Sequence, residues 1–86
     1  MKKMVSLLQP FVMQQALIVF EDNKKIDTIT TTLNDFPEIV YQTSIKYDCS
    51  QLEFIGTTKF AKGIGEKIEK LGVSKYNSQK IQILYK

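Results

Sequence analysis

The sequence QLEFIGTTKFAKGIGEKIEKLG (residues 51–72) decides the class of fold, because its hydrophobic period changes once along the way. Residues 51–56 form a short apolar run that ends at a glycine, which is typical of a buried strand. Thr57 or Thr58 can then cap a helix, and Gly72 is placed as the glycine that follows its last turn. The apolar face of this helix recurs at helical spacing: Phe60, Ala61, Ile64, Ile68 and Leu71. A strand followed directly by a helix indicates an α/β domain.

The residues before this segment predict three strands. An apolar run within residues 11–22 and the β-branched run Ile26–Leu33 flank a short turn of Asp, Asn and Lys residues, which predicts an antiparallel hairpin. Met4–Leu8 is predicted to form an earlier strand, which leaves at Pro10 because proline cannot donate to a ladder.

A helix is predicted between the hairpin and residue 51. Asp35 is expected to be its N-cap, with Glu38 completing a capping box and Pro37 in the first turn. The helix should end near Asp48. Its apolar residues lie at helical spacing, with two small polar residues in the same stripe: Phe36, Ile39, Val40 and Tyr47, with Thr43 and Ser44.

The C-terminal residues predict a loop at Asn77–Ser78 and a last strand in which Ile81, Ile83 and Tyr85 alternate with other residues. The complete order is β-β-β-α-β-α-β. We therefore predict a single domain over residues 1–86, a small two-layer or three-layer α/β domain with a mixed sheet.

This order of elements resembles the core of the ribonuclease-H-like fold, which actin-like ATPases also contain. The resemblance is one of topology and covers nearly the whole chain. In the nuclease family the first strand carries a metal-binding carboxylate, whereas Met4–Leu8 contains no acidic residue. The resemblance therefore implies the fold without the nuclease chemistry.

Composition excludes several classes of protein. With 43% hydrophobic residues and a net charge of +3, the chain is not disordered. One cysteine and no histidine exclude a disulfide framework, a Cys-rich zinc site and Ser-His catalysis. We expect no catalytic residue, no metal and no cofactor. The longest apolar run, Ala16–Phe20, is far shorter than the roughly 20 residues of a membrane span, so the protein is expected to be cytoplasmic, with no membrane contact.

The junction at residues 56–70 is the richest candidate site. Backbone N–H groups at the helix start, hydroxyl groups and lysines could hold an anion or a nucleic-acid phosphate. The predicted contacts are Thr57, Thr58, Lys59, Lys62, Gly63, Gly65 and Lys67. The alternative is an ordinary capped junction with solvated lysines, since the segment matches neither a P-loop nor a dinucleotide fingerprint.

Residues 61–71 also resemble the Gly-hydrophobic-Gly hairpin of helix-hairpin-helix DNA-binding modules, through Gly63-Ile64-Gly65 and Leu71. The resemblance implies that backbone N–H groups approach a DNA phosphate. The alternative is that both glycines lie inside a helix and are needed for close packing against the sheet or a second chain.

Three functions follow from these observations. The first is a small non-enzymatic binding or regulatory accessory protein, of the kind often found in phages and mobile elements. It would act through protein contacts, as a homodimer, because Met4–Phe20 carries more apolar side chains than one face can bury. The second is a sequence-independent nucleic-acid binder, since the 12 basic residues are all lysine and arginine is the commonest base-reading residue. The third is a metal-dependent hydrolase, which requires two converging acids. The sequence does not identify any protein partner.

Overall fold

A computed structural model describes residues 1–56, 58–76 and 80–86. It confirms the predicted order of elements, while the predicted loop at Asn77–Ser78 lies outside the described residues. The elements are β1 (Lys2–Leu8), β2 (Gln14–Glu21), β3 (Lys24–Thr32), α1 (Phe36–Tyr47), β4 (Gln51–Gly56), α2 (Thr58–Ser74) and β5 (Gln82–Tyr85).

The five strands form one mixed sheet in the order β3-β2-β1-β4-β5. β1 and β2, and β2 and β3, pair antiparallel, whereas β4 lies parallel to both β1 and β5. The β2–β3 hairpin turns through Asp22 and Asn23, both at positive φ, a conformation that Asp and Asn tolerate best after glycine. The α/β fold class predicted from the sequence is confirmed.

One face of the sheet carries the core. Alternate residues of β1 point to this face, and Met4, Ser6 and Leu8 are all buried there. The neighbouring strands continue the pattern with Leu17, Val19, Leu52 and Phe54. Both helices pack their apolar stripes onto the same cluster, through Phe36 and Val40 of α1 and Ile64 and Ile68 of α2. The described structure thus has two layers, a sheet and a pair of helices.

Helix α1 begins at the predicted position, but the predicted capping box is wrong. Asp35 is the N-cap residue, yet its backbone is helical and its side chain makes no capping hydrogen bond. Glu38 instead accepts hydrogen bonds from the Lys75 ammonium at 2.6 Å and the Tyr76 hydroxyl at 2.9 Å. The hydrogen bond from Lys75, and to a smaller extent the one from Tyr76, lowers the pKa of Glu38. The carboxylate therefore joins the start of α1 to the end of α2, a long-range contact that local spacing cannot reveal. The end of α1 at Asp48, in the left-handed conformation, is as predicted.

Helix α2 continues past the glycine that was expected to end it. The N–H groups of Lys75 and Tyr76 donate to the carbonyls of Leu71 and Gly72, so helical hydrogen bonding runs on beyond Gly72. Gly72 is buried, and a Cβ atom there would clash with the Tyr41 hydroxyl. Tyr41 is itself buried and stacks on Tyr76, with ring centroids 4.7 Å apart. This glycine is present because α1 approaches α2 closely, not because the helix ends.

Candidate binding surface

The second face of the sheet, which we call the open face, carries no helix in the part of the chain that the structure describes. The strand register shows which side chains point to the open face, because these side chains alternate with the core residues along each strand. They are Lys3, Val5, Leu7, Gln14, Ala16, Ile18, Phe20, Lys25, Thr28, Thr30, Thr32, Gln51, Glu53, Ile55, Gln82, Leu84 and Lys86. The centre of the open face is therefore apolar, but Lys3 and Glu53 also lie on central strands, and β3 contributes mainly threonines.

The centre of the open face is a continuous apolar patch. Val5 lies opposite Ile18 on β2, and Leu7 lies beside Ile55 on β4. Leu7 is 55% exposed and Ile55 is 43% exposed, although both lie on interior strands of the sheet. Large contiguous apolar patches on a domain surface are characteristic of interaction sites. These residues are the surplus apolar side chains of the segment Met4–Phe20, together with a neighbour from β4.

A buried carboxylate lies at the edge of this patch. Glu53 is 5% exposed, although it lies on the open face. Its Oε2 atom is 2.8 Å from the Lys3 ammonium, and its Oε1 atom is 2.6 Å from the Lys86 ammonium. Hydrogen bonds from the two lysines lower the pKa of Glu53, and the bond from Lys3 has the larger effect. The carboxylate is therefore ionised at neutral pH. We call Lys3, Glu53 and Lys86 the charged triad; it carries one more positive than negative charge.

The charged triad lines a shallow depression of about 320 Å³. The side chains of two lysines and one glutamate form one side of the depression, and three apolar side chains form the other. Its lining residues are Lys3, Val5, Phe20, Asn23, Glu53, Ile55 and Lys86. The depression thus combines apolar side chains with ammonium groups.

A second apolar feature lies at the C-terminal end of β1. In the connection from β1 to β2, Phe11 is 98% exposed and Met13 is 65% exposed. The backbone of this connection is nevertheless held by Gln15, which is buried. The Gln15 amide accepts the N–H of Gln9 and donates to the carbonyls of Gln9 and Val12, at 2.6 to 2.9 Å. An ordered backbone therefore presents apolar side chains to solvent.

The structure divides the site predicted at residues 56–70. Thr57 lies outside the described residues. Thr58 begins α2 and is exposed, as are Lys59, Lys62, Gly63 and Lys67. Gly65 is buried and faces the sheet, where a Cβ atom would meet the Tyr85 hydroxyl. The lysines therefore share the solvent side of one helix, and Gly65 is not among them.

The segment Gly63-Ile64-Gly65 does not form a hairpin. All three residues lie inside α2, which is continuous from Thr58 to Ser74. The likeness to a helix-hairpin-helix module is therefore one of sequence pattern, without the turn that would expose backbone N–H groups. Of the two glycines, Gly65 has a packing reason, whereas nothing lies near the position of a Cβ atom on Gly63.

Acidic residues do not converge into a metal centre in the described ranges, 1–56, 58–76 and 80–86. Within them, no group of three or more His, Cys, Asp or Glu side chains could hold a metal ion. Several acids have other partners: Asp22 pairs with the N-terminal ammonium, and Asp27 accepts a hydrogen bond from the Tyr47 hydroxyl. Cys49 is a buried free thiol.

Comparison with known proteins supports the fold and nothing finer. No protein-family model matches the sequence, and no curated protein matches it. A crystal structure from Bacteroides thetaiotaomicron VPI-5482, a protein with an actin-like ATPase fold and unknown function, is similar with a TM-score of 0.68 and 12% sequence identity. The similarity covers 99% of this chain but only 32% of that protein. At the level of the fold, it is consistent with the actin-like topology predicted from the order of elements.

Neither α1 nor α2 is long and apolar enough to cross a membrane, and this holds for every helix in the described ranges.

Proposed function

We propose that this protein is a non-enzymatic binding protein that acts through protein contacts, and that it forms a homodimer across the open face. The observation that carries the proposal is the apolar patch on interior strands, in which Leu7 and Ile55 are exposed and Val5 and Ile18 are half-buried. A second copy would remove this patch from water and provide a second layer against the sheet. Two sheets that pack face to face in this way are a common architecture, with a spacing of about 10 Å.

The dimensions of the molecule suit this partner. The Cα atoms extend over 30 × 28 × 20 Å, so the largest face of the molecule measures about 30 × 28 Å. A face of this size is comparable with the roughly 800 Å² per partner that a standard interface buries. In a twofold dimer the same patch of both copies meets at the centre of the interface. An apolar centre suits this arrangement, because it packs against an identical apolar surface.

Light scattering coupled to size-exclusion chromatography tests the proposal. At micromolar concentration we expect a mass of twice 9.9 kDa, falling toward 9.9 kDa on dilution. A mass of 9.9 kDa at every concentration up to about 100 μM would contradict the homodimer, since interfaces of this size bind in the micromolar range or tighter.

One observation favours a second function, the binding of nucleic-acid backbone by α2. Lys59, Lys62 and Lys67 are exposed on this helix, and none of the ion pairs among the described residues involves them. Cations without a protein partner are available to phosphate. Glu66 and Glu69 lie on the same helix and reduce its net charge, which favours weak contact without sequence preference.

Fluorescence anisotropy with a labelled single-stranded or double-stranded oligonucleotide tests this second function. At about 50 mM salt we expect binding that weakens steeply as salt is added, because bound lysines release counterions. Changing Lys59, Lys62 and Lys67 to glutamate should abolish it. The variant Lys59→Glu/Lys62→Glu has the matched control Lys24→Glu/Lys25→Glu in β3, which lowers the net charge by the same four units without touching α2. Equal loss in both variants would show a general charge effect and reject the site.

A further inference from the structure

We propose that the depression beside the charged triad binds a small organic acid with an apolar chain, and that this ligand competes with the second copy for the open face. The first part rests on the geometry of the depression. The competition rests, in addition, on the homodimer proposed above.

The charged triad leaves donors for an incoming carboxylate. An ammonium group has three N–H donors, and the ion pairs of Lys3 and Lys86 with Glu53 direct one from each lysine to that carboxylate. The two lysine side chains are 35% and 61% exposed, so their remaining donors can reach solvent. Glu53 holds the two ammonium groups on one side of the depression, and their charge exceeds its own by one. A ligand carboxylate would therefore meet a preorganised, net positive pair of donors.

The opposite side of the depression selects the rest of the ligand. Val5, Phe20 and Ile55 line it, and they offer an alkyl chain a surface where it can leave water. The Asn23 carboxamide adds a neutral polar group at the lining. Inorganic phosphate would use the ammonium groups but leave the apolar wall exposed. A short-chain carboxylate uses both, so this class of ligand fits the depression better than a free inorganic anion does.

Occupation of the depression would interfere with dimerisation. Val5 and Ile55 belong to the lining of the depression and also to the apolar patch that a second copy would cover. The same atoms cannot contact a ligand chain and a second sheet at once. The organic acid would therefore shift the protein from dimer to monomer, as expected for a ligand that binds only one of two states.

Titration of the ¹⁵N-labelled protein with hexanoate tests the site, with hexanamide as the matched neutral ligand and inorganic phosphate as the matched anion. We expect hexanoate to shift the amide signals of Glu53 and Ile55 with saturation in the millimolar range, and to bind about tenfold more tightly than hexanamide, since charge-assisted hydrogen bonds are the stronger ones. Lys86→Gln should weaken hexanoate about threefold to fivefold, within the range of exposed ion pairs, whereas Lys24→Gln should not. Equal binding of hexanamide, tighter binding of phosphate, or shifts confined to other residues would overturn the proposal.

The mass of the protein in saturating hexanoate tests the competition separately. A dimer that becomes a monomer supports it, and a dimer that persists while hexanoate is bound at the depression overturns it. If the protein is monomeric throughout, the homodimer and the competition both fail, but the titration still decides whether the depression binds organic acids.

Discussion

Gly72→Ala is expected to destabilise the protein by about 1–3 kcal/mol, even though alanine is the better helix former. The added methyl group would clash with the hydroxyl end of the Tyr41 side chain. Tyr41 cannot easily move away, because it is buried and its ring stacks on Tyr76. Thermal unfolding followed by circular dichroism should show a melting temperature lower by about 4–8 °C for each kcal/mol.

Gly63→Ala is the matched control on the same helix. Nothing lies near the position of its Cβ atom, so the variant should gain helix propensity and become more stable by about 1 kcal/mol. Gly65→Ala should fall between the two, because Tyr85 is partly exposed and a change in its χ1 angle can move its hydroxyl group away toward solvent. If Gly72→Ala and Gly63→Ala change the melting temperature equally, the claim that α1 and α2 approach closely at Gly72 is contradicted.

Leu7→Glu is expected to convert the homodimer to a monomer, with dimer affinity weakened at least about 100-fold. In each copy the change would place an unpaired carboxylate in the apolar centre of the interface, and removal of an unpaired charge from water costs several kcal/mol. Leu7 is 55% exposed in the single chain, so the fold itself should tolerate the change. Light scattering gives the mass, and circular dichroism checks that the variant is folded.

Val73→Glu provides the matched control for this change. Val73 is an exposed apolar residue on α2, away from the open face, so the same substitution there should leave the dimer intact. A dimer that survives Leu7→Glu but dissociates with Val73→Glu would move the interface from the sheet to the helices.

The sequence predicts the order of elements because each element carries its own local period. The β-branched run before residue 33 and the helical spacing from Phe60 to Leu71 each specify one kind of structure without help from the rest of the chain. The two predictions that are wrong, for Gly72 and Glu38, depend on residues that are distant in the sequence. Gly72 has the spacing of a C-terminal glycine, and only the position of Tyr41 on α1 shows that it is a packing glycine. Glu38 likewise has the spacing of a capping box, but Lys75 and Tyr76 bind it instead.

The charged triad could not be predicted, because its three members come from separate parts of the chain. Lys3 and Glu53 lie close because β1 pairs parallel with β4, and Lys86 approaches because β5 pairs parallel with β4. Local sequence spacing determines neither the strand order nor the register. One signal did point toward the open face: the excess of apolar residues between Met4 and Phe20, more than a single buried face can hold.

Isotope-filtered NOE spectroscopy on a mixture of labelled and unlabelled protein tests the central claim most directly, because it detects only contacts between copies. The homodimer across the open face predicts intermolecular contacts among the methyl groups of Val5, Leu7, Ile18 and Ile55. Intermolecular contacts that involve only α2 or the edge strand β3, or none in a sample whose mass is 9.9 kDa, would contradict it.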